Sequence, residues 1–549
     1  MKNYSDFNSV EELYEYYNIG VDDLVLEKNN IDLPGKDGKD EDEPSKTINP
    51  DNKLDVLYAD FKKSLNNIFK HIVIFTNSKD PKDNKTLKNI IDAIKELKKA
   101  NCEIIPELHI FIASDVYCAE EDEKLTISDG EETFTIIKES NLDTLIFSRL
   151  SVQDEDQCEH VVQILQDRGF LVLNPVKYSA LACDKYESAL LFQKGNIPQP
   201  NFTLMTKDIL YDEKLYLKAM KQVYPKWDID GDKNADYQVV MKILDGHGGT
   251  GVALIDGKRM YAVLQMIFAI SPDRRILLQK KEEADGGDIR VHVLTLRDKQ
   301  VILAAMKRVK LGGDFRSNVS LGAEAEPVKL TLEQEQIALK TAQLSKLPWC
   351  AVDIMPLVKG SNKELGDNAV LEINASPGTA GISDVIETNF INVLLNELDD
   401  PNLFFLQDKI AGFIESVTIN FGEGVSKDFL AKLDTGNSTK ASVLEVGKFT
   451  EKDNYIEFQI DNKTLKLEKI GQSNAIAGDK TYKRPMVVVP EIQLGLRKLK
   501  NVAIALVENR DQKTTNLLLN RDVMSKMGYV VHPNNAHILT KEMEKVKII

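Results

Sequence analysis

The chain has 549 residues, with 86 acidic against 70 basic side chains and a formal net charge of -16, an excess that argues against a general binder of the nucleic-acid backbone. Its five cysteines, Cys102, Cys118, Cys158, Cys183 and Cys350, are scattered without a C-x-x-C pair, which speaks against a disulfide framework or a cysteine zinc site and fits a reducing, cytoplasmic setting. No run approaches the roughly 18 apolar residues of a membrane span, and the acidic N-terminus lacks the apolar core of a signal peptide, so no membrane partner is expected.

The length fits roughly three to four domains of about 150 residues. Val10 to Leu26 is expected to form one short helix, and Asn29 to Lys53, rich in Lys, Asp, Asn, Pro and Gly, reads as a disordered linker with little to bury; residues 1–53 are therefore set apart. An α/β domain follows over 54–175. It opens with the buried-strand pattern His71 to Asn77 and a helix over Thr86 to Ala100, whose apolar stripe is Leu87, Ile90, Ile91, Ile94 and Leu97. Strands at Glu107 to Ala113, Thr144 to Phe147 and Phe170 to Leu173, and a helix over Cys158 to Arg168, continue the alternation. In a third part, 176–400, a helix from Ala180 carries Asp184 and Lys185 into Gly195 to Pro200, followed by two long strand pairs and a helix over Leu332 to Leu347. The last part, 413–549, is strand-rich with short turns and reads as a separate all-β domain, so the fold class is α/β plus all-β. No internal repeat is found.

Within the third part, MKILDGHGGTGVALI (Met241 to Ile255) spaces Gly246, Gly248 and Gly251 like a dinucleotide-binding fingerprint. That fingerprint needs a helix after the glycines. Val252 to Ile255 are strand formers, as are Val239 to Leu244, so the stretch reads as a hairpin with a glycine-rich tip and a dehydrogenase is set aside. Lys242 on the entering strand is placed to meet phosphates, while the backbone N–H groups of Gly248 and Gly249 approach them without a Cβ; Lys185 is a second such lysine. The bland reading is a solvated lysine beside an ordinary turn.

Asp353 interrupts the apolar run CAVDIM, and Glu372 and Asn374 interrupt VLEINASPG. A spacing of two puts Glu372 and Asn374 on one sheet face. If the two strands are neighbours, the three residues make an all-oxygen cluster suited to magnesium bridging nucleotide phosphates. Arg290 in GGDIR and Arg316 in FRSN, which follows AAMKR, are placed to hold a carboxylate or a developing oxyanion; each alone is a default surface arginine.

Taken in order, the strings NPVKYSALACDK, GNIPQPNFTLM, MKILDGHGGTGVALI, LLQKKEEADGGDIR, AAMKRVKLGGDFRSN, AVDIM and VLEINASPGTAGI, from Asn174 to Gly381, resemble ATP-grasp ligases, most closely the RimK-type family that adds glutamate to a protein C-terminus. The resemblance makes 54–175 the pre-ATP-grasp lobe and 176–400 the ligase domain. It implies that Lys185 and Lys242 contact ATP phosphates, that Gln279, Lys280 and Lys281 form the adenine hinge, and that Asp288 serves the ribose. It further implies Arg316, Ser317 and Asn318 near the phosphates or substrate, and Asp353, Glu372 and Asn374 on Mg2+, with Mn2+ as a substitute ion. The hinge is a residue shorter than the usual pattern and carries two lysines. The chemistry implied is ADP-forming activation of a peptide or protein carboxylate as an acyl phosphate, then amine attack, with Arg290 or Arg316 on the tetrahedral oxyanion. The partners implied are a peptide or protein acceptor and an amino acid, glutamate by resemblance.

Near the C-terminus, AKLDTGNSTKASVLEV places Asp434 directly after a strand and before a Thr-Gly turn, an arrangement that is also an ordinary turn. With LLLNRDVM (Leu517 to Met524) about eighty residues later, the region from Phe413 to Leu539 resembles retropepsin-like aspartic proteases, in the family named ATP-dependent zinc proteases that accompanies RimK-type ligases. Asn520 stands where retropepsins usually have Gly, a position where its tolerance of left-handed backbone is expected to preserve the fold. The zinc label finds no H-E-x-x-H, and His532 and His537 read as surface residues. Three functions follow: a ligase alone; a ligase whose C-terminal domain cleaves a peptide; or a ligase whose C-terminal domain only binds one. One Asp-Thr-Gly per chain, where aspartic proteolysis needs two carboxylates, implies a homodimer or higher homo-oligomer.

Overall fold

The computed structural model describes residues 65–121, 124–137, 143–148, 156–244, 251–297, 300–309, 324–362, 365–398, 409–439, 441–477, 480–495, 497–509 and 515–540. The expected N-terminal helix and linker lie outside them. The chain divides into two compact units, the first taking in the chain through Gln166, Val172–Thr295 and Gln300–Asp399, the second chiefly Asp400–Ile549 with Asp167–Leu171 and Leu296–Lys299. No helix among the described residues is long and apolar enough to cross a membrane.

The first unit opens with strand β1 (His71–Thr76), helix α1 (Lys85–Lys99) and strand β2 (Glu107–Ile112). Asn84 starts α1 by accepting the Leu87 N–H, and Lys98 and Lys99 oppose the negative end of the helix dipole. Next come β3 (Tyr117–Glu121), β4 (Lys124–Ser128) and β5 (Thr133–Ile137), an antiparallel three-stranded sheet that was not expected, although Leu125 and Ile127 alternate with polar neighbours and are buried. Strand β6 (Thr144–Ser148), helix α2 (Asp156–Asp167) and β7 (Leu171–Leu173) complete a sheet of order β2-β1-β6-β7 whose β1–β2 and β1–β6 pairs are parallel. Strands β1, β6 and β7 are near-continuous buried apolar runs, as strands covered on both faces must be, whereas β2 is half-buried and carries Glu107 and His109.

The single helix expected through Asp184 is two, α3 (Val176–Cys183) and α4 (Lys185–Lys194). Asp184 is extended between them, and its carboxylate caps α4 by accepting the Tyr186 and Glu187 N–H groups. A sheet of order β10-β9-β11-β8 follows, made of β8 (Phe202–Met205), β9 (Gln238–Ile243), β10 (Val252–Asp256) and β11 (Ile276–Lys280). The β9–β10 hairpin is the glycine hairpin read from the sequence. Gly251, where it re-enters the sheet, has φ +75°, and a Cβ there would come 2.8 Å from the Ile243 side chain, so only glycine fits.

The second sheet of this part has the order β14-β13-β12-β15-β16 and is antiparallel: β12 (Asp288–Thr295), β13 (Gln300–Val309), β14 (Glu324–Pro327), β15 (Trp349–Pro356) and β16 (Asn368–Asn374). A helix over Leu332–Ser345, started by a Thr331/Gln334 capping box, packs Ile337, Ala338 and Ala342 against Val291, Val352 and Val370 of the sheet. One apolar face of the sheet is thereby covered, which leaves the other to carry charge.

In the second unit, β17 (Lys409–Gly412) pairs in parallel with β27 (Tyr529–His532). The remaining strands are β18 (Ile414–Gly422), β19 (Val425–Asp434), β20 (Ser442–Glu445), β21 (Phe449–Glu451), β22 (Tyr455–Ile460), β23 (Lys463–Ala477), β24 (Lys480–Leu494), β25 (Arg497–Val507) and β26 (Leu517–Asn520). They run β18-β19-β26-β20-β25-β24-β23-β22-β21, and the β18–β24 pairing closes the first six into a barrel around Val417, Ile419, Leu433, Val489 and Ile504. Closure removes the edges that an open sheet would expose. The all-β character expected of the C-terminal part is observed.

Candidate active site

The face of the five-stranded sheet opposite that helix holds a row of charges. Across the β12–β15 ladder Arg290 stands opposite Asp353, and across β15–β16 Asp353 stands opposite Glu372, just before a bulge. The condition on which the acidic cluster depended, neighbouring strands, is met. Arg290 holds Asp353 with a guanidinium fork, Nε to Oδ1 and Nη2 to Oδ2, both 2.7 Å, and its Nη2 lies 4.0 Å from Glu372 Oε1. Asn374 donates its Nδ2 to Asp353 Oδ2 over 3.4 Å.

A residue that the sequence reading did not single out completes the row. Arg308, buried on β13, donates Nη2 to Asp353 Oδ2 at 2.7 Å and both Nε and Nη2 to the carboxylate of Asp288. It stood in the quoted AAMKR string, and the rule that flagged Asp353, a charge inside an apolar strand, applies to it equally. Asp288, expected to serve a ribose, is buried with both oxygens on Arg308. Burial alone would raise the Asp353 carboxyl, but Arg290 and Arg308 outweigh it and hold the group well below the usual carboxylate range. Arg308 is raised in turn, since Asp353 and Asp288 overcome its desolvation.

Lys242 of β9, in the other sheet, is buried and has no hydrogen-bond or ion-pair partner among the described residues. Burial pulls its ammonium below the ordinary lysine range; Glu372 and Asp353 act against that shift and Lys185 with it. The lysines and the acidic row thus sense one another's charge. Lys185 is tied to the end of the hairpin strand by both its N and its Nζ, 3.4 and 3.3 Å from the Leu244 carbonyl oxygen. Gly248 and Gly249 of the hairpin tip, and Arg316, Ser317 and Asn318, lie outside the described residues.

At the expected hinge, Gln279 is buried on β11, the Lys280 N–H donates to the Asn201 carbonyl at 2.8 Å, and the Lys281 N–H to the Gln238 carbonyl at 3.1 Å. Lys280 Nζ pairs at 2.9 Å with buried Glu282, which also accepts from Asn362. The extra hinge lysine is therefore neutralised locally.

The donors suit a hard divalent cation. Glu372 carries no guanidinium within hydrogen-bond reach and is half-exposed, Asn374 adjoins it on the same face, and Asp353 keeps lone-pair capacity beside its arginines. Glu372, the Asn374 carbonyl and Asp353 would hold Mg2+, which supplies charge compensation on polyphosphate when bound.

In the barrel, half-buried Asp434 ends β19, level with Asn520 of β26. Its Oδ1 accepts the Gly436 N–H at 3.1 Å. Asn520 is fully buried and braces the following loop: Nδ2 donates to the Thr439 carbonyl at 2.7 Å, and Oδ1 accepts from Ser442 Oγ at 3.1 Å and the Val523 N–H at 3.2 Å. Its φ of -84° is extended, which corrects the expectation of a left-handed position. Asn serves here as the cap of the helix over Arg521–Met527.

Residues 182–398 match the RimK-like ATP-grasp domain family. The chain is 38% identical over 160 residues to a probable alpha-L-glutamate ligase of Thioalkalivibrio sulfidiphilus (strain HL-EbGR7), covering 28% of this chain and 48% of that protein. It is 37% identical over 146 residues to a probable alpha-L-glutamate ligase of Vibrio atlanticus (strain LGP32), 26% of this chain and 44% of that one. The chain spans about half the length of the curated relatives it matches. Among solved structures, the ATP-grasp ligase PsnB complexed with a minimal precursor is 16% identical with a TM-score of 0.42, covering 60% of this chain and 98% of that one. The family match supports the ATP-grasp part of the resemblance and ends before the C-terminal barrel.

Proposed function

We infer that the chain is an ADP-forming, ATP-dependent carboxylate–amine ligase of RimK type, which joins an amino acid, glutamate by the names of its relatives, to a peptide or protein carboxylate. The observation that carries this reading is the convergence of buried Lys242, with Lys185 beside it in charge, upon Asp353, Glu372 and Asn374 of the facing sheet. An unpartnered buried ammonium is costly unless an anion arrives to compensate it, and a polyphosphate is such an anion. ATP with Mg2+ supplies the phosphoryl group that turns the acceptor carboxylate into an acyl phosphate. The chain's own residues position and neutralise: Lys242 and Lys185 at the phosphates, Gln279 to Lys281 along the adenine, and Arg290 at the oxyanion formed on amine attack. The test is to incubate the protein with ATP, Mg2+, each amino acid and an acceptor peptide whose carboxylate carries oxygen-18. ADP and labelled phosphate, with an acceptor gaining one amino-acid residue, are expected; AMP and pyrophosphate would overturn the acyl-phosphate route.

For the barrel we read a retropepsin-like peptidase that cleaves a peptide. The observation favouring it is the loop of Asp434, Thr435 and Gly436 braced from beneath by buried Asn520. Retained binding of a glutamate-extended peptide without cleavage would leave the barrel as a peptide-binding module.

A further inference from the structure

Two histidines and a glutamate of the α/β lobe, remote in sequence from the ligase motifs, converge on one point. His71 opens β1, and Glu107 and His109 share a face of the neighbouring parallel strand β2, with His71 level with Glu107 and Val73 level with His109. His71 Nδ1 lies 3.3 Å from His109 Nε2 and 3.6 Å from Glu107 Oε2, and His109 Nε2 lies 3.9 Å from that same oxygen. Zinc bonds of about 2.0–2.2 Å at tetrahedral angles require donors about 3.3–3.6 Å apart. We propose that His71 Nδ1, His109 Nε2 and Glu107 Oε2 bind one Zn2+, the fourth position being open to water on the side of exposed Glu107.

The surroundings orient these donors. Glu132, just before β5, sets its Oε1 3.3 Å from His109 Nδ1, so that nitrogen carries the proton and Nε2 presents its lone pair to the ion. Glu132 is itself anchored, for its Oε2 accepts the Ile110 N–H at 3.2 Å. Asp129 fixes the same turn by accepting the Glu131, Glu132 and Ile112 N–H groups and pairing with Lys79 at 2.7 Å. The ring of Phe134 stacks on His109 with centroids 3.8 Å apart and tilts against His71 at 5.0 Å. Both imidazoles are therefore held without metal, and little ordering entropy opposes binding. Two imidazoles and one carboxylate favour zinc over the oxygen-loving Mg2+ expected at the ligase site. The ion would tie β1 and β2 to the β3–β5 sheet through Glu132, a structural role outside the ligase chemistry.

The full chain, stripped with chelator, is titrated with ZnCl2 in excess Mg2+ by calorimetry and with CoCl2 by visible absorption. The wild type is expected to bind one more zinc than His71→Ala or Glu107→Ala, and Co2+ to give the strong visible bands of a tetrahedral site. Glu132→Gln should weaken binding by about 10–100-fold, as loss of a carboxylate behind a ligating histidine does. His71 and Glu107 are solvent-accessible, so their variants are expected to keep the wild-type circular dichroism. Equal zinc stoichiometry and affinity in wild type and His71→Ala, or no zinc bound by the wild type, overturns the proposal and leaves a histidine pair joined by a hydrogen bond. Weak octahedral Co2+ bands overturn the four-coordinate geometry.

Discussion

Arg290 and Asp353 face each other across two strands and join by both arms of the guanidinium, at 2.7 Å each, while Arg308 reaches the same carboxylate from β13. Removing one member of such a buried group strands the others uncompensated, at about 3–5 kcal/mol. Asp353→Asn is therefore expected to destabilise the first unit by about that amount. Arg290→Lys, which keeps the charge and loses the fork, is expected to cost less stability and still lower kcat. Both tryptophans, Trp227 and Trp349, lie in the first unit, so urea unfolding followed by tryptophan fluorescence reads it alone. An Asp353→Asn midpoint equal to wild type would count against the buried network.

Lys242 gives the opposite signature. Its folded-state pKa is lowered, chiefly by burial, so the unfolded chain binds the proton more readily and the charge opposes folding at neutral pH. Lys242→Met is expected to match or exceed wild-type thermal stability without ligand. It should also lose the ATP-induced rise in Tm and reduce amino-acid-dependent ADP formation on the order of 100-fold or more. A variant that is less stable yet turns over normally would mean that the lysine is structural.

Glu187, in the first turn of α4, is buried with its Oε2 unpartnered among the described residues. Desolvation, helped by Asp184 and opposed by Arg275, pushes its carboxyl from 4.5 up to about 7. Between those values the folded state holds a proton that the unfolded state has lost, so stability falls as pH rises from 4.5 to 7 and then levels. Glu187→Gln should remove that slope and raise stability at pH 8 by up to about 3 kcal/mol, the equivalent of the shift. Thermal melts at pH 4.5, 6 and 8 check it, and an unchanged pH slope would refute the assignment.

The acidic row and the glycine hairpin were legible because their residues break local patterns: Asp353 and Glu372 interrupt apolar strands, and the glycines precede strand formers. What pairs with what was not legible. That Arg290 meets Asp353, 63 residues on, or that Arg308 takes both oxygens of Asp288, 20 residues back on the preceding strand, depends on ladder register, which local periodicity does not encode. The β3–β5 sheet escaped notice because its strands are only five residues each, and the His71, His109 and Glu107 cluster because a parallel pairing alone brings it together. Asn520 was singled out for a tolerance of left-handed backbone that it does not use, since its backbone is extended and its side chain caps and braces.

That side chain makes a sharper forecast. Asn520→Gly restores the residue usual in retropepsins and deletes bonds to Thr439, Ser442 and the Val523 N–H. Because φ is already negative, glycine brings no conformational relief, and each buried group left unpaired costs about 1–3 kcal/mol. Faster amide exchange at Val523 and Leu519 is expected, and protection at the wild-type level would show the bracing to be dispensable.

The final prediction concerns assembly around Asp434, which stands at the end of β19 with its carboxylate turned onto the Gly436 N–H of its own loop. Aspartic proteolysis divides acid and base roles between two carboxylates sharing one proton, because two like charges in contact cannot both ionise. The barrel carries one Asp-Thr-Gly, so the proposed peptidase requires its second carboxylate from the Asp434 of another copy, with the loops meeting on a two-fold axis. Lys185, Lys242, Arg290, Asp353, Glu372 and Asn374, the described residues proposed for ligation, lie within one unit of one chain and have no such requirement. Charge-introducing substitutions on the exposed tip, such as Thr435→Lys, are therefore expected to abolish the proposed peptidase activity and dissociate such a dimer in sedimentation while ATP-dependent ligation continues. Asp434→Asn should abolish cleavage without dissociating it. Cleavage by a protein that sediments as a monomer, or cleavage that survives Asp434→Asn, would exclude the shared-carboxylate mechanism and return the barrel to peptide binding.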